Sequence, residues 1–342
     1  MKHSTTTRGL IIGVLASLAF GTSGAFIKPL LEGGWSPAAA VTVRAGVAGL
    51  VLVPIAVIAL RGRWAALWRA RWRVLGMALI GVAGTQLAYF AAISRIPVST
   101  ALLIEYLAPL ILVAIVWVRT RRTPRAVVLI GSVLAIGGLV LIIGPGSIVA
   151  TDGLGIVFAV IAMFGVVGYY LIAARPSDGL PPVAFAASGL VLGSLVLAGV
   201  GAVGILPFTA DFGQVSVGAL VVPWFVPLVF VALVGTAFAY VASIAASEML
   251  GSRLMSFVGL LEVVFASVFA WLVVGETITP LQGVGGVLIL GGIALVRMER
   301  EADVPLEPGS VDEDAQVVSI RGEAATRPAG SARGEAATRP AD

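Results

Sequence analysis

The chain of 342 residues contains no cysteine and a single histidine, His3. The absence of cysteine excludes disulfides, thiolate metal sites and cysteine nucleophiles. The sequence also lacks an HExxH motif, paired aspartates and a P-loop. We therefore predict no catalytic residues, no metal and no cofactor, and ATP is excluded as a direct energy source. A membrane-embedded enzyme stays as an alternative, with only Glu and Tyr available for chemistry.

Charged side chains are scarce. They make up 12% of the chain, whereas hydrophobic residues make up 59% and the mean hydropathy is +1.05. Soluble domains carry about 25% charged residues, so this composition indicates an integral membrane protein. The net charge of +4 and the pI of 9.8 would suit nucleic acid, but the arginines fall in short clusters between apolar runs. Nucleic-acid binding is therefore not predicted.

Apolar segments long enough to cross a bilayer, which takes about 20 residues, recur along the whole chain. The first follows Lys2 and Arg8 and is similar to a signal peptide, but its apolar run is long enough for a retained helix. The predicted fold class is an all-α polytopic membrane protein with ten transmembrane helices. We place the spans at residues 10–28, 38–60, 74–92, 98–118, 126–143, 153–173, 183–205, 221–245, 254–274 and 279–296.

Lysine and arginine lie mainly on one side of these spans. With the N-terminus inside, 15 of them fall in cytoplasmic segments, and only Lys28 and Arg95 fall on the opposite side. Because basic loops stay cytoplasmic, both termini are predicted in the cytoplasm of a multi-pass protein in the inner (cytoplasmic) membrane. The polar residues 298–342 include a period-12 duplication of RGEAATRPA, which predicts a disordered cytoplasmic tail.

The loop RGRWAALWRARWR, from Arg61 to Arg73, is rich in arginine and tryptophan. Trp64, Trp68 and Trp72 recur every four residues, so they form one stripe of a short interfacial helix. We interpret this helix as an anchor at the membrane surface, and a regulatory lipid site is the alternative. Membrane lipid is therefore a predicted partner.

Two halves of the chain repeat one another. GTQLAY at 84–89 in the third span matches GTAFAY at 235–240 in the eighth, and GSVLAIGGLVL from Gly131 matches GGVLILGGIAL from Gly285. Because each half holds five spans, an odd number, the halves have opposite orientations in the membrane. We predict inverted repeats at 10–147 and 148–297, preceded by a cytoplasmic N-terminus at 1–9. Such repeats are typical of secondary transporters with a midplane site.

The stretches AFGTSGAFIKPLL and SPAAAVTVRAG open the first half, and SFVGLLEVVFASVFAWLVVGETITPLQGVGGVLILGGIALV closes the second. Residues 10–297 thereby resemble the EamA-type branch of the drug/metabolite transporter superfamily, although Val263 replaces the customary proline after the glutamate. EYLAPLI followed by RTRR is most similar to the threonine and homoserine exporters. The resemblance implies export or exchange of small polar metabolites, often amino acids, driven by an ion gradient or by the substrate's own gradient.

Only three charged residues lie well inside spans: Arg44, Glu105 and Glu262. Each costs about 2.5 to 3.5 kcal/mol at a helix centre, so each should face a cavity or a partner. Counting along straight helices places Arg44 and Glu105 at about 10 Å below the same interface, where they could bind a zwitterion or form a structural salt bridge. Glu262 has no buried cation at its depth, and it is either a proton-coupling site, as Glu105 could also be, or a carboxyl bonded to backbone.

Polar and aromatic residues near these charges are candidates for lining a cavity. The predicted substrate-binding set is Arg44, Glu105, Gln86, Tyr89, Tyr106, Tyr169, Trp224 and Tyr240, with Thr22, Ser23, Tyr170 and Ser256 as further lining candidates. The predicted function is export or exchange of a small polar metabolite by alternating access, with H⁺ as a candidate coupling ion. Export of drugs or cationic compounds and transport of nucleotide-type metabolites are the alternatives, and monomer and homodimer both stay open.

Overall fold

The structure is a computed structural model that describes residues 2–93, 95–96, 98–121, 123–144, 152–176, 179–275 and 279–302. The chain divides into two compact units, Met1–Glu299 and Arg300–Asp342. The fold below is that of the first unit. Most of the predicted disordered tail, residues 303–342, lies outside the described residues.

Helices dominate the first unit, with one short β-hairpin. The helices are α1 Lys2–Glu32, α2 Pro37–Ala59, α3 Trp64–Arg69, α4 Arg71–Gly76, α5 Thr85–Ile93, α6 Val98–Glu105, α7 Ala108–Thr120, α8 Ala126–Ile143, α9 Gly153–Ala173, α10 Pro182–Ala202, α11 Phe225–Ala232, α12 Ala239–Gly259, α13 Leu261–Phe269 and α14 Pro280–Ala302. The strands are β1 Gln214–Val217 and β2 Leu220–Pro223, and π-helical turns occupy Met77–Gly84, Leu233–Phe238 and Ala270–Val274.

Within the described residues, nine helical runs are long and apolar enough to cross a membrane. Eight of them overlap predicted spans one by one. The run Phe225–Gly259 is longer than predicted because two helices meet in it at Gly251, where the backbone is non-helical with φ 78° and ψ 164°. The ninth predicted span, 254–274, therefore begins inside this run and continues as the shorter apolar helix Leu261–Val273. It is not one continuous helix.

Polar side chains fix the starts of two helices. The Ser36 hydroxyl accepts the Ala39 amide at 3.3 Å and begins α2, with Pro37 at the first helical position. Asp152 begins α9 by accepting the Leu154 amide at 2.8 Å, and it forms an exposed salt bridge of 3.1 Å with Arg95. The Leu154 amide, followed by Arg95, holds the pKa of Asp152 below its usual value.

Two π-helical turns fall at matching places in the two halves. The first ends at Gly84, directly before Thr85, and the second contains their counterparts Gly235 and Thr236. In the first half the Thr85 hydroxyl donates to the Ile80 carbonyl at 2.6 Å, five residues earlier. Single π-turns are uncommon and often mark functional segments, so their recurrence supports the duplication independently of the amino-acid matches.

Helices α8 and α14 pack through glycines that correspond between the halves. A Cβ added at Gly138 would lie 2.4 Å from the carbonyl oxygen of Gly285, and one added at Gly131 would lie 2.8 Å from the carbonyl oxygen of Gly292. Residue numbers rise on one helix as they fall on the other, so the two helices are antiparallel. Small residues allow this backbone-to-backbone approach.

The hairpin was not predicted, because the apolar residues of β2 were assigned to the eighth span. Leu220–Pro223 instead pairs antiparallel with Gln214–Val217, and Gly218 takes a positive φ of 59° at the turn. The hairpin packs against the end of α1 through Trp35, whose ring nitrogen donates to the Asp211 carbonyl. A short apolar strand and the first turn of a membrane helix have the same composition, so hydropathy does not separate them.

The outer surface of the helical unit is apolar. Val133, Leu195 and Val287 are 72%, 62% and 68% exposed, and similar side chains cover the other long helices. Continuous exposure of this kind would be unstable in water and suits contact with lipid.

Candidate functional site

A cavity of about 160 Å³ lies among the long helices. Since one water needs about 10–15 Å³ of such space, the cavity can hold several waters or a small polar molecule. Its lining residues are Phe20, Ser23, Arg44, Gly81, Thr85, Gln86, Glu105, Tyr106, Ala108, Pro109, Val166, Tyr169, Tyr170, Tyr240, Ser256 and Glu262.

All three charged residues predicted inside the spans reach this cavity. Six of the eight predicted substrate-binding residues line it: Arg44, Glu105, Gln86, Tyr106, Tyr169 and Tyr240. Glu262 lines it as well, as do Ser23, Tyr170 and Ser256 from the wider set of candidates. The residues come from spans of both halves, so the cavity is shared between the two repeats.

Two predicted residues lie elsewhere. Trp224 stacks on Trp35, with ring centroids 5.4 Å apart, in the cluster beneath the hairpin. Tyr89 packs with Ala92 and neighbouring apolar residues and is not part of the lining, although its hydroxyl is close enough to interact electrostatically with Glu105. Trp224 was chosen as an aromatic residue of a span, and Tyr89 because it shares a helix face with Gln86 and matches Tyr240 in the repeat. Aromatic residues of spans more often pack or anchor than bind ligand.

Thr22, another candidate, is buried and donates to the Ala19 carbonyl at 2.7 Å, without reaching the cavity. This is the usual role of a threonine inside a helix.

Arg44 is held in the middle of α2. Its Nε is buried and has no hydrogen-bond partner within the described part of the chain. The guanidinium interacts electrostatically with Glu262 and with Tyr240. No salt bridge joins Arg44 to Glu105, although both are described and both line the cavity.

The geometry corrects one expectation, the lack of a buried cation near Glu262, because Arg44 interacts electrostatically with that carboxylate. Depth was counted along straight helices, and the helix that carries Glu262 is interrupted at Leu260. Glu105 and Glu262 also interact electrostatically with each other across the cavity.

Glu105 lies at a helix break. Helix α6 ends at Glu105 and α7 begins at Ala108, with Pro109 in its first turn. Proline has no amide hydrogen to give to the carbonyl four residues earlier, which is that of Glu105. Pro109 therefore accounts for the interruption, which puts the carboxylate beside free backbone groups at the cavity wall.

Glu262 lies at a second break and in the first turn of α13. The positive end of a helix dipole stabilises a carboxylate there, and the Tyr106 side chain lies next to Glu262 in the cavity lining. Tyr106 directly follows Glu105. One short segment of the fourth span therefore carries one of the two acidic residues and approaches the other.

The two glutamates are counterparts in the repeat, which the sequence analysis missed. STALLIE at 99–105 aligns with SFVGLLE at 256–262, with the serine, one leucine and the glutamate identical. Each carboxylate marks the break of its helix. Arg44 has no charged counterpart in the second half, where the aligned part of α10 carries no lysine or arginine.

Tyrosine is concentrated at this site. The chain has five tyrosines, and four of them, Tyr106, Tyr169, Tyr170 and Tyr240, line the cavity. The ring of Tyr169 lies 5.2 Å from that of Tyr170 and 5.7 Å from that of Tyr240, both edge to face. The Tyr169 hydroxyl is buried near Ser243 but forms no hydrogen bond of good geometry with it.

Phe20, Thr85 and Val166 also line the cavity and were not among the predicted residues. Thr85 had an available signal, since it adjoins Gln86 in the repeated GT motif and follows a π-helical turn. Phe20 and Val166 are indistinguishable in sequence from apolar packing residues.

No cluster of three or more His, Cys, Asp or Glu side chains suited to a metal ion occurs among the described residues. The guanidinium and the two carboxylates of the cavity can bind a polar solute through hydrogen bonds and charge pairs.

A solved crystal structure with 18% sequence identity aligns with a TM-score of 0.68, over 87% of this chain and 99% of that one. At this identity the likeness establishes the fold alone. No curated protein matches the chain. The EamA-like transporter family matches residues 7–144 and again residues 153–298, which together account for most of the chain. The chain therefore belongs to the EamA-like transporter family, as a multi-pass membrane transport protein of the drug/metabolite transporter superfamily.

Proposed function

We propose that this protein is a secondary transporter that exports or exchanges a small zwitterionic metabolite, an amino acid or a related compound, by alternating access. The observation that carries the proposal is the shared cavity, where one guanidinium and two carboxylates meet buried polar atoms without partners. Unpaired buried polar groups cost about 1–3 kcal/mol each. A bound polar solute would satisfy them.

The charges suit an amino acid. The Nε of Arg44 is available to donate to a substrate carboxylate, and Glu105 can accept an ammonium group. The faces of Tyr169, Tyr170 and Tyr240 provide further attraction for a cation. The resemblance to threonine and homoserine exporters favours the same class of substrate.

The cavity volume favours a small metabolite over a drug-sized one. Sites for drug-sized ligands usually measure about 300–1,000 Å³, and this cavity measures about 160 Å³. A nucleotide-type substrate would require several cations for its phosphates, and Arg44 is the one cation in the described lining. For the membrane-embedded enzyme, no metal cluster occurs among the described residues, and the sequence has no cysteine and no histidine other than His3.

We propose ten spans in inverted halves, with both termini in the cytoplasm. The antiparallel glycine contacts of α8 with α14 support an axis in the membrane plane, because they exchange Gly131 with Gly285 and Gly138 with Gly292. The contact between Trp35 and Asp211 joins two loops predicted outside. Arg73 and Pro176, which lie in two loops predicted inside, are also in contact.

H⁺ is the proposed coupling ion. Glu105 and Glu262 interact with each other and share a neighbour in Tyr106. Substrate ammonium and proton would then compete for the same carboxylates, and binding of one would release the other. The competition needs no further ionisable group.

Purified protein in liposomes tests the function. We expect counterflow of an amino acid from a panel that includes threonine, homoserine and cationic drugs, with faster uptake under a pH gradient. Arg44→Ala should raise the half-saturating substrate concentration at least about tenfold. Removing one partner of a buried charge pair costs about 2 kcal/mol or more of binding free energy, because the substrate carboxylate is left without its cation. Arg119→Ala, on an exposed site, is the matched control.

Three outcomes would contradict the proposal. Transport of cationic drugs without any amino acid would favour the drug-exporter alternative. Unchanged transport by correctly inserted Arg44→Ala and Glu105→Gln would remove the proposed site. Unchanged pH dependence in Glu262→Gln and Glu105→Gln would remove the proposed role of H⁺.

A further inference from the structure

A second cavity lies on the side of the helical unit that carries the Arg61–Arg73 loop. Its volume is about 660 Å³ and it shares no residue with the central cavity. The lining residues are Val53, Ala56, Val57, Leu60, Trp64, Leu67, Trp68, Arg71, Val74, Leu75, Ala187, Ser188, Val191 and Leu192. Apart from Ser188 and Arg71, all of them are apolar. We refer to it as the loop groove.

The loop groove is formed by rigid helices. Helices α2 and α10 form its base and pack tightly, since a Cβ added at Gly49 would lie 2.8 Å from the Val191 side chain. Helix α3 covers one side with Trp64 and Trp68, which are 53% and 71% exposed. A single short interfacial helix with Trp64, Trp68 and Trp72 on one stripe was predicted. Trp64 and Trp68 do lie on the short helix α3, whereas Trp72 lies on α4, which begins after Ala70.

A single charged residue, Arg71, lies at the mouth of the groove. Its guanidinium carbon is 5.0 Å from the ring centre of Trp68 and 5.5 Å from that of Trp72. Its Nη1 donates to the Trp68 carbonyl at 3.1 Å. The guanidinium is therefore held at the groove by its neighbours, while Arg71 remains exposed and keeps donors for a ligand.

The neighbouring arginines increase this positive charge. Arg61, Arg63 and Arg69 belong to the same loop and are exposed, and neither Asp nor Glu occurs between residues 61 and 73. Arg73 differs, because it turns away and bonds the carbonyls of Ile172 and Ala173. Arg73 therefore has a structural role, whereas the exposed arginines of the loop are available to a ligand.

We infer that the loop groove is a binding site for an anionic glycerophospholipid, with one acyl chain in the groove and the phosphate at Arg71. The inference rests on complementarity: an apolar space for an acyl chain, tryptophans of the kind that favour the level of lipid glycerol and carbonyl groups, and a fixed cation for the phosphate. A hydrophobic solute would match the apolar wall but would leave Arg71 and its exposed arginine neighbours without a purpose. A phospholipid matches both.

Native mass spectrometry of delipidated protein tests this site, with phosphatidylglycerol and phosphatidylcholine of identical acyl chains added in equal amounts. We expect one phosphatidylglycerol to remain bound preferentially. Arg71→Ala should abolish the preference for phosphatidylglycerol, while the exposed-arginine control Arg119→Ala should retain it. Val57→Trp, which fills the groove from an exposed edge, should reduce binding of both lipids at least about tenfold.

Three results would overturn the inference. The first is equal retention of both lipids by the native chain. The second is an unchanged phosphatidylglycerol preference in Arg71→Ala or unchanged lipid binding in Val57→Trp, with each variant shown to be folded by its thermal melting. The third is a Val57→Trp variant that loses dimers of the protein but binds as much lipid as the native chain. That result would assign the groove to a second copy of the chain.

Discussion

At Gly259 the missing side chain leaves room for a hydroxyl group of the central cavity. A Cβ added there would lie 2.2 Å from the Tyr170 hydroxyl oxygen and 3.3 Å from its ring carbon. Tyr170 is a rigid aromatic side chain, and it packs edge to face on Tyr169. A methyl group at this position therefore has to displace part of the aromatic lining.

Gly259→Ala should lower the free energy of unfolding by about 1–3 kcal/mol, the usual cost of overpacking, and should reduce transport. The measurements are the thermal midpoint in detergent and counterflow in liposomes. Gly137→Ala is a suitable control, because a Cβ at Gly137 meets nothing within 4 Å. Equal effects of the two variants would show that the Tyr170 contact is unimportant.

The charged residues of the site could be predicted individually but not as pairs. Charge inside an apolar span is costly, so Arg44, Glu105 and Glu262 were identifiable from the sequence alone. Which charged residues become neighbours depends on where the helices are interrupted. The interruption at Leu260 has no sequence signal, because leucine is an ordinary residue in an apolar run. The interruption near Glu105 was predictable because proline lacks an amide hydrogen.

At the scale of elements, Arg73 joins three helices. From the start of α4 it pairs with Glu248 of α12 at 3.1 Å, with side-chain exposures of 9% and 20%. It also bonds the carbonyls of Ile172 and Ala173 at the end of α9, and its guanidinium covers the ring of Phe185 at 4.3 Å. A cation at a helix C-terminus is additionally favoured by the helix dipole.

Arg73→Ala should cost about 3–5 kcal/mol, because it leaves a partly buried Glu248 without its cation. The measurement is unfolding of the purified protein, monitored by loss of helical signal. Replacement of both residues, Arg73→Ala with Glu248→Ala, should be less damaging than the sum of the two single changes. Additive effects would indicate that the ion pair contributes little.

The packing of α8 on α14 gives a second test at this scale. Gly138→Ala brings a methyl group against the Gly285 backbone, which cannot move as a flexible side chain does, so the thermal midpoint should fall by several degrees. The adjacent Gly137→Ala should leave it unchanged, because that position is open. A lower thermal midpoint in both variants would indicate that the glycine-to-alanine change acts through helix propensity and not through the contact with Gly285.

For the whole molecule, the absence of cysteine permits a direct test of sidedness. In the cysteine-free chain, Ala219→Cys in the hairpin should react with a membrane-impermeant maleimide added to intact cells. Arg61→Cys should react only after permeabilisation, because its loop is predicted inside. Both positions are exposed. The reverse pattern would invert the proposed topology.

The architecture was more predictable than its irregular parts. Hydropathy predicted the helical fold, because a long apolar run in a membrane has to pair its backbone groups within a helix. The repeated GT and GG motifs predicted the duplication. The hairpin and the turn at Gly251 were missed, because apolar strands and short connections produce no gap in hydropathy. Both features depend on contacts with residues far away in the sequence.

The glutamates at the two helix breaks are duplicated, whereas Arg44 belongs to the first half alone. In an alternating-access cycle, a fully symmetric site would present the same chemistry to both faces of the membrane and would release cargo equally well on either side. The unduplicated guanidinium makes the two faces unequal, so the affinities for cargo on the two sides can differ while the gradients set the direction of net transport.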